Sequence, residues 1–376
     1  MTESDFIPKN YIDKPENGSI TWQSPSNIAL VKYWGKYCEQ LPANPSVSFT
    51  LNNCKTITEL KYKLKDTPLD TFDFEVFFEG KKSEDFKPKI ETFFKRVEKY
   101  LPFLKDYQFE IHTENTFPHS SGIASSASGM SALALCLVDM ESQLLASAPL
   151  SDREKLSLKT VTEWSRSAEI KKASFLARLG SGSACRSIEG DIVVWGEHSK
   201  IKGSSNLFGI KYPLPVHDNF KNYQDTILLV DKGEKQVSSS MGHNLMHDHP
   251  FSDQRFQQAN ENLSKLIAVL ESGNLSEFIK IVESEALTLH AMMMTSMPYF
   301  ILMKPNTLEI INKIWSYRNE TNSNICFTLD AGANVHVLYP EIEKGKVLEF
   351  IKNELVGYCQ NGQYICDQIG FGAKKH

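Results

Sequence analysis

Residues 117–133 read FPHSSGIASSASGMSAL, a loop rich in glycine and serine that leads directly into an apolar helix predicted for residues 129–146. Glycine lets backbone N–H groups approach an anion closely, serine hydroxyls add hydrogen-bond donors, and a helix start carries partial positive charge. Taken alone, its residue types slightly favour a serine-rich turn that only caps the helix. Because the sequence has neither a Walker motif nor G-x-G-x-x-G, this segment is its candidate phosphate loop.

Three other segments place polar residues next to apolar ones. Residues 177–186 read ARLGSGSACR, where Arg186 offers a fork that matches a carboxylate or a phosphate. Taken alone, that segment slightly favours an ordinary connection between a helix and a strand. Residues 328–334 read TLDAGAN, in which Asp330 is either a general base at a strand end or a turn former. Residues 24–36 read SPSNIALVKYWGK and hold two lysines beside an aromatic pair.

Composition sets the class of protein. A chain of 376 residues suggests about two or three domains, and 41% hydrophobic with 23% charged residues is ordinary for a soluble globular protein. The 41 basic and 46 acidic side chains give a net charge of −5, which argues against a nucleic-acid binder. With no secretory signal, no apolar span of membrane length and seven cysteines without a C-x-x-C pair, the sequence predicts a cytoplasmic protein.

Hydrophobic periodicity predicts a mixed α+β fold, because strands and helices alternate only irregularly. Strands are predicted near residues 60–64, 72–78, 107–111, 191–195, 226–230, 325–329 and 334–339. Further helices are predicted near 86–100, 152–178, 254–271, 274–290, 306–319 and 341–356. A loop-rich passage at 200–222 divides the chain into a first domain, 1–208, and a second, 209–376.

A group of histidines, His243, His247 and His249, invites a metal interpretation. No cysteine or acidic partner follows at a familiar zinc spacing, so the sequence does not favour a metal site there.

Five segments, in this order, make the chain resemble the diphosphomevalonate decarboxylase family of the GHMP kinase superfamily. They are SPSNIALVKYWGKY, FPHSSGIASSASGMSAL, ARLGSGSACRS, VSSSMGH and TLDAGAN. The resemblance runs from about residue 22 to at least 340. It implies a two-domain GHMP kinase fold, with an amino-terminal domain like ribosomal protein S5 domain 2, a ferredoxin-like carboxy-terminal domain, a cleft between them, and a homodimer.

The resemblance also implies an activity. The family uses ATP and Mg²⁺ to phosphorylate the 3-hydroxyl of mevalonate 5-diphosphate, after which loss of phosphate and CO₂ gives isopentenyl diphosphate in isoprenoid biosynthesis. It identifies Asp330 as the base beside the 3-hydroxyl, Lys32 as its neighbour and Arg186 as the residue on the substrate carboxylate. The residues implied for the ATP phosphates are Ser120, Ser121, Gly122, Ala124, Ser125, Ser126 and Ser128. Those implied for the substrate are Asn27, Tyr33, Lys36, Ser181, Ser183, Arg186, Ser238 and Ser239.

Several positions depart from the family pattern. Ser240 stands where some bacterial members have arginine, His243 where methionine is common, and Pro45 where serine is usual. Two alternatives within the superfamily therefore remain open, a decarboxylase of mevalonate 5-phosphate and a mevalonate 3-kinase. A non-catalytic ligand sensor is a third, although such a protein would be expected to lose the base or the phosphate loop.

Overall fold

The computed structural model describes residues 1–8, 11, 14–67, 70–118, 123–145, 167–231 and 239–376, with only the backbone of residues 239 and 240. Its larger sheet has eight strands, β1 (Asn17–Val31), β4 (Ser46–Leu64), β5 (Asp73–Phe78), β6 (Lys81–Lys82), β7 (Tyr107–Asn115), β8 (Ile192–Trp195), β9 (Ile210–Lys211) and β14 (Lys374–Lys375). A separate two-stranded ribbon joins β2 (Lys36–Tyr37) to β3 (Leu41–Pro42).

Two long strands, β1 and β4, form the centre of the larger sheet. They pair antiparallel, and register shifts after Pro25 and after Ala29 interrupt the pairing. One half of β4 pairs with β7, and the other half pairs with β8. The apolar residues of β7 alternate, with Tyr107, Phe109 and Ile111 buried, because one face of this part of the sheet is covered by helices.

Those covering helices are α1 (Lys87–Val97), α2 (Ser125–Leu145) and α3, described from residue 167 to 180. Leu60, Phe94, Phe109, Leu137 and Leu176 belong to the hydrophobic core that they share with the sheet. The start of α2 is held against the central strand β4, where the buried Ser128 hydroxyl lies 2.6 Å from Thr56 Oγ1.

A smaller antiparallel sheet of four strands follows the order β11 (Cys326–Thr328), β12 (Val335–Tyr339), β10 (Gln224–Leu228) and β13 (Tyr364–Gln368). The helices of this part are α4 (Ser239–Asn244), α5 (Ser252–Ser272), α6 (Leu275–Thr295), α7 (Pro305–Thr321) and α8 (Lys344–Phe350). Phe49 of β4, Leu266 of α5, Ile281 of α6 and Ile227 of β10 share one core, so α5 and α6 pack against both sheets.

One buried carboxylate joins the smaller sheet to the larger one, in addition to the shared core. Asp367 in β13 is buried and accepts hydrogen bonds from the backbone N–H groups of Asn52 (2.9 Å), Asn53 (2.8 Å) and Cys54 (2.8 Å) in β4. Charge-assisted bonds of this kind are the stronger class, so they stabilise the contact between β13 and β4.

The fold matches the α+β prediction. The expected helices at 254–271, 274–290 and 306–319 are confirmed with small shifts at their ends, whereas the helix expected at 341–356 divides into a 3₁₀ turn, α8 and a π-helical stretch, Ile351–Leu355. The expected helix at 152–178 lies partly outside the described residues. The larger sheet continues past residue 208 to β9 and includes β14, and the domain limits stay a prediction. Among the described residues, no helix combines the length and the hydropathy of a transmembrane span.

Candidate active site

An ion pair at the ends of two apolar strands forms the centre of the site. Lys32 directly follows β1 and Asp330 lies two residues beyond β11, and Lys32 Nζ is 2.9 Å from Asp330 Oδ1. The Lys32 side chain is 2% exposed, whereas the Asp330 side chain is 31% exposed. One side of the carboxylate therefore faces a buried ammonium group, and another side is accessible to a ligand.

A buried network holds the backbone of Lys32. Its N–H donates to Glu285 Oε2 (2.8 Å), and its carbonyl accepts from Asn44 Nδ2 (2.9 Å) and Arg255 Nη2 (3.1 Å). Arg255 and Glu285 form a fully buried ion pair, and Asn262 also donates to Glu285 at 2.7 Å. Sequence reasoning missed this network, because arginine and glutamate on amphipathic helices are ordinarily solvent-exposed.

Arg186 lies in the 3₁₀ turn Gly182–Ser187 and is 3% exposed. Its Nη1 donates to Ser46 Oγ (2.5 Å), its Nε donates to Asn27 Oδ1 (3.4 Å), and its guanidinium carbon is 5.8 Å from the centre of the Trp195 ring. No described carboxylate lies within 4.0 Å of it. Burial lowers the pKa of Arg186, and the charge of Asp330 partly opposes that effect. An anionic ligand would compensate this buried charge.

Asn27 was expected to contact the substrate, but its side chain is occupied within the protein. Its Nδ2 donates to Ser187 Oγ (2.8 Å) and to the Ser183 carbonyl (3.3 Å), while its Oδ1 accepts from Arg186. With 3% of the residue exposed, Asn27 acts on the site by orienting Arg186 and the turn that carries it.

The described part of the phosphate loop lies close to the turn formed by residues 181–187, here called the serine turn. Ala124 adopts φ of 46° just before α2, whose first turn holds no acidic residue. Ser125 is partly exposed there, and Ser126 Oγ lies 3.5 Å from Ser181 Oγ. The N–H groups of a first helical turn have no partner within the helix, so this end of α2 can receive an anion.

Ser128 lies on the other face of α2. It is fully buried, and its hydroxyl is 2.6 Å from Thr56 Oγ1 and donates to the Ser125 carbonyl at 3.3 Å. Successive helical residues are about 100° apart, which turns position 128 toward the sheet when position 126 faces the serine turn. The structure thus does not bring Ser128 to the open end of the helix. Ser120, Ser121 and Gly122 lie outside the described residues.

The candidate residues for the substrate diphosphate lie around Gly182. Tyr33 Oη is buried without a hydrogen-bond partner among the described residues, and a Cβ atom at Gly182 would stand 2.8 Å from it. Ser181 and Ser183 flank this glycine and are partly exposed. Lys36 is half-buried, and burial, with a smaller effect from Arg96, lowers its pKa. Ser238 lies outside the described residues, and Ser239 is described only as the backbone start of α4.

The three histidines do not meet. His243 accepts a hydrogen bond at Nδ1 from the Gly35 N–H (3.1 Å), whereas His249 Nε2 faces the Met292 carbonyl and Thr295 Oγ1, each at 3.1 Å. His247 is exposed to solvent. Across the described ranges, no three His, Cys, Asp or Glu side chains form a group that could hold a metal ion.

A half-open pocket of about 110 Å³ adjoins the start of α2. Its walls are mainly apolar with a few polar groups, a composition common in small-molecule sites. The lining includes Thr58, Phe78, Ile90, Ile111, Ser126 and Met130.

Comparisons with known proteins cover most of the chain. A sequence model described as the diphosphomevalonate decarboxylase-like N-terminal domain matches residues 24–206, and one described as the mevalonate 5-diphosphate decarboxylase C-terminal domain matches residues 226–370. The chain belongs to the diphosphomevalonate decarboxylase family. Diphosphomevalonate decarboxylase mvd1 of Aspergillus fumigatus is 26% identical over an alignment of 351 residues that covers 88% of this chain and 79% of that protein.

Solved structures agree with this assignment to the diphosphomevalonate decarboxylase family. A structure described as MDDEF in complex with MVAPP, AMPPCP and magnesium has a TM-score of 0.77 and 25% identity, covering 96% of this chain and 99% of that one. Mevalonate diphosphate decarboxylase from Staphylococcus aureus has a TM-score of 0.75 and 26% identity, covering 96% and 98%. The predicted family and its two-domain GHMP kinase fold are therefore confirmed.

Proposed function

We propose that this protein is an ATP-dependent diphosphomevalonate decarboxylase of the mevalonate pathway. It transfers the γ-phosphoryl group of ATP to the 3-hydroxyl of mevalonate 5-diphosphate, and loss of phosphate and CO₂ then gives isopentenyl diphosphate. The observation that carries this proposal is the Lys32–Asp330 pair, whose partly exposed carboxylate is near enough to influence the pKa of the buried Arg186 guanidinium, although no described carboxylate pairs with that cation directly. A base for a hydroxyl and a cation for a carboxylate are the two groups that this reaction requires.

Asp330 is the proposed general base. A tertiary alcohol is a poor nucleophile, so an Asp330 carboxylate oxygen accepts the hydroxyl proton as the new O–P bond forms. The Lys32 ammonium at 2.9 Å donates to the carboxylate and fixes its direction. Since the Lys32 backbone is itself held by Glu285, Asn44 and Arg255, the base has little freedom to turn away.

Arg186 is the proposed ligand of the substrate carboxylate. Ser46 and Asn27 hold two of its nitrogens, which fixes the plane of the guanidinium group before substrate arrives. In the second step the C–C bond to the carboxylate breaks, its electron pair forms the double bond, and the C3–O bond to the phosphate breaks. This step needs no separate base, and Arg186 must orient the carboxylate without binding it so tightly that CO₂ is retained.

The start of α2 fits the phosphates of ATP. Ser125 and Ser126 offer backbone N–H groups and hydroxyls there, and the adjoining pocket past Phe78 and Met130 has the apolar walls that suit a nucleotide base. No protein cage for a metal exists among the described residues, which fits magnesium, an ion that keeps several waters and binds mainly through nucleotide phosphates with one or two protein oxygens. Bound magnesium neutralises charge on those phosphates.

The diphosphate of the substrate is assigned to the residues around Gly182, namely Tyr33, Lys36, Ser181 and Ser183. The buried Tyr33 hydroxyl lacks a partner among the described residues, and Lys36 forms no ion pair with any of them. These donors support a diphosphate over a single phosphate, because together they exceed what one phosphate requires.

We also infer a cytoplasmic homodimer. Seven cysteines without a disulfide are consistent with a reducing compartment. Met297, Tyr299 and Ile301 give one face of the chain an exposed apolar strip, which supports association with a second copy. Light scattering of the purified protein should give twice the monomer mass, and a monomer mass at micromolar concentration would contradict the dimer.

The test of the activity compares mevalonate, its 5-phosphate and its 5-diphosphate with ATP and Mg²⁺. We expect kcat/KM for the 5-diphosphate to exceed that for the 5-phosphate by about 10-fold or more, because at least one charge-assisted contact is lost. Equal values for the two substrates would contradict the assignment of the diphosphate site.

A further inference from the structure

His243 packs against Tyr33, one of the residues assigned to the substrate diphosphate, and the proposed mechanism does not use it. Its ring packs between two aromatic rings, with centroids 4.1 Å from Tyr33 and 4.7 Å from Trp34, and 8% of the residue is exposed. A Cβ atom at Gly242 would lie 2.5 Å from the Trp34 ring, so the backbone of α4 approaches that indole closely. The ring orientation is therefore set by packing on both faces.

One hydrogen bond determines the protonation state of this ring. The Gly35 N–H donates to His243 Nδ1 at 3.1 Å, and a nitrogen that accepts cannot carry a proton. A neutral ring must then carry its proton on Nε2. Burial, with smaller contributions from Lys36 and Arg186, lowers the pKa of His243 to about 3, which agrees with a neutral ring.

The proton on Nε2 has no acceptor within the described protein. No described residue accepts a hydrogen bond from His243 Nε2, and this nitrogen is absent from the fully buried polar atoms that lack a partner, so it keeps a small accessible surface. The groups around it are the Tyr33 ring, the Lys36 ammonium and the Arg186 guanidinium, so the ligand that would satisfy Nε2–H is an anion.

We propose that His243 is a specificity-determining substrate ligand whose neutral Nε2–H donates a hydrogen bond to a phosphate oxygen of the 5-diphosphate. The inference rests on the proposed function. We assign the phosphate group, and not the carboxylate, as the acceptor for His243. His243 packs on Tyr33 and accepts a hydrogen bond from Gly35, which directly precedes Lys36. Arg186 already supplies the donors for the carboxylate.

Two variants separate hydrogen-bond donation from packing. His243→Met fills a similar volume without a donor, and we expect it to raise KM for mevalonate 5-diphosphate about 10-fold while kcat and KM for ATP change less than about 2-fold. His243→Gln retains an N–H donor and should stay within about 3-fold of the wild-type KM. His247→Gln changes an exposed histidine four residues further along the chain and serves as the matched control, with no change expected.

An unchanged KM in a folded His243→Met protein would overturn the proposal, and equal increases in both His243 variants would assign the ring to packing alone. Wild-type protein labelled with ¹⁵N-histidine provides a measurement that does not depend on how the variants fold. We expect a ring that stays neutral with its proton on Nε2 from pH 5 to 8 and that shifts when mevalonate 5-diphosphate is added. If every histidine that responds to substrate titrates within that range, the neutral-donor assignment is wrong. Absence of turnover in the wild type would instead contradict the proposed function.

Discussion

Asp330→Asn tests the catalytic pair in the greatest detail. Asparagine keeps the size of the side chain and much of its hydrogen bonding but cannot accept the hydroxyl proton. General base catalysis is worth about 10²–10⁴-fold, and because Asp330 also orients the hydroxyl, we expect kcat to fall by about 10⁴-fold. Binding of ATP and of mevalonate 5-diphosphate should change little, since the phosphate groups are assigned to other residues.

The structure also predicts a cost in stability. Lys32 is buried and its ammonium lies 2.9 Å from Asp330, so the variant leaves an ammonium without its charged partner. Breaking a buried pair costs about 3–5 kcal/mol, and the lower end, ~3 kcal/mol, applies here because Asp330 is partly exposed. For 376 residues this corresponds to a decrease in Tm of roughly 4 °C.

The pH dependence of that loss has a definite sign. Burial lowers the pKa of Lys32, Asp330 opposes this effect, and removal of the carboxylate charge lowers the pKa further. The unfolded chain then binds more protons than the folded one between the lowered pKa of the folded variant and the ordinary lysine pKa, so the stability of the variant rises with pH in that range. The destabilisation relative to wild type should accordingly shrink between pH 7 and pH 9.

The assay combines kcat, substrate affinity and thermal unfolding for Asp330→Asn, Lys32→Met and the double variant. We expect the double variant to recover part of the lost stability, because neither buried charge is left alone, while activity stays absent. Asp218→Asn, which removes the carboxylate of an exposed pair with Lys221, is the matched control and should leave Tm and kcat unchanged. An active Asp330→Asn enzyme, or one whose Tm matches wild type at pH 7, would refute this reasoning.

Three further predictions concern single side chains. Ser126→Ala should lower kcat by about 10–100-fold with little change in KM for ATP, because a donor near the transferred phosphoryl group acts mainly in the transition state. A raised KM for ATP with unchanged kcat would instead show that Ser126 binds ATP in the ground state. Arg186→Lys should lower kcat/KM for mevalonate 5-diphosphate by about 10–100-fold while the Kd of an ATP analogue stays constant, and an unchanged kcat/KM would remove Arg186 from the carboxylate site. His290 faces the Asp330 carbonyl at 3.1 Å, and burial lowers its pKa to about 4. Protonation of this ring should therefore lower the free energy of unfolding of the wild type by ~3 kcal/mol as pH drops from ~6.5 toward 4. His290→Gln should have a flatter profile of Tm against pH. Parallel profiles for the two proteins would contradict this role of His290.

Sequence reasoning was most successful where a pattern has one physical cause. Alternating apolar residues in β7 and the helical periods of α5 and α6 arise from a single buried face, and both are confirmed. The strand β1 gave no such pattern, because the half that leads to Lys32 is buried on both faces and includes Pro25 and Asn27. The sequence could identify it only as a polar cluster among apolar residues.

In the site, too, the sequence predicted some residues and could not predict the roles of others. The family resemblance predicted that Lys32, Asp330 and Arg186 belong together, whereas residue types alone left their roles open, and the structure brings the first two into contact. The supporting roles depend on distances that no local pattern encodes. Asn27 serves Arg186 and not an open cleft, and Glu285 reaches Lys32 across 253 positions of sequence.

The most direct test of the proposed activity is a single turnover with mevalonate 5-diphosphate labelled with ¹³C in its carboxylate, ATP and Mg²⁺. The decarboxylase predicts one labelled CO₂ and one phosphate for each ADP, with isopentenyl diphosphate as the organic product. ADP formed without labelled CO₂, leaving a phosphorylated acid, would identify a kinase and contradict the function proposed for the Lys32, Asp330 and Arg186 site.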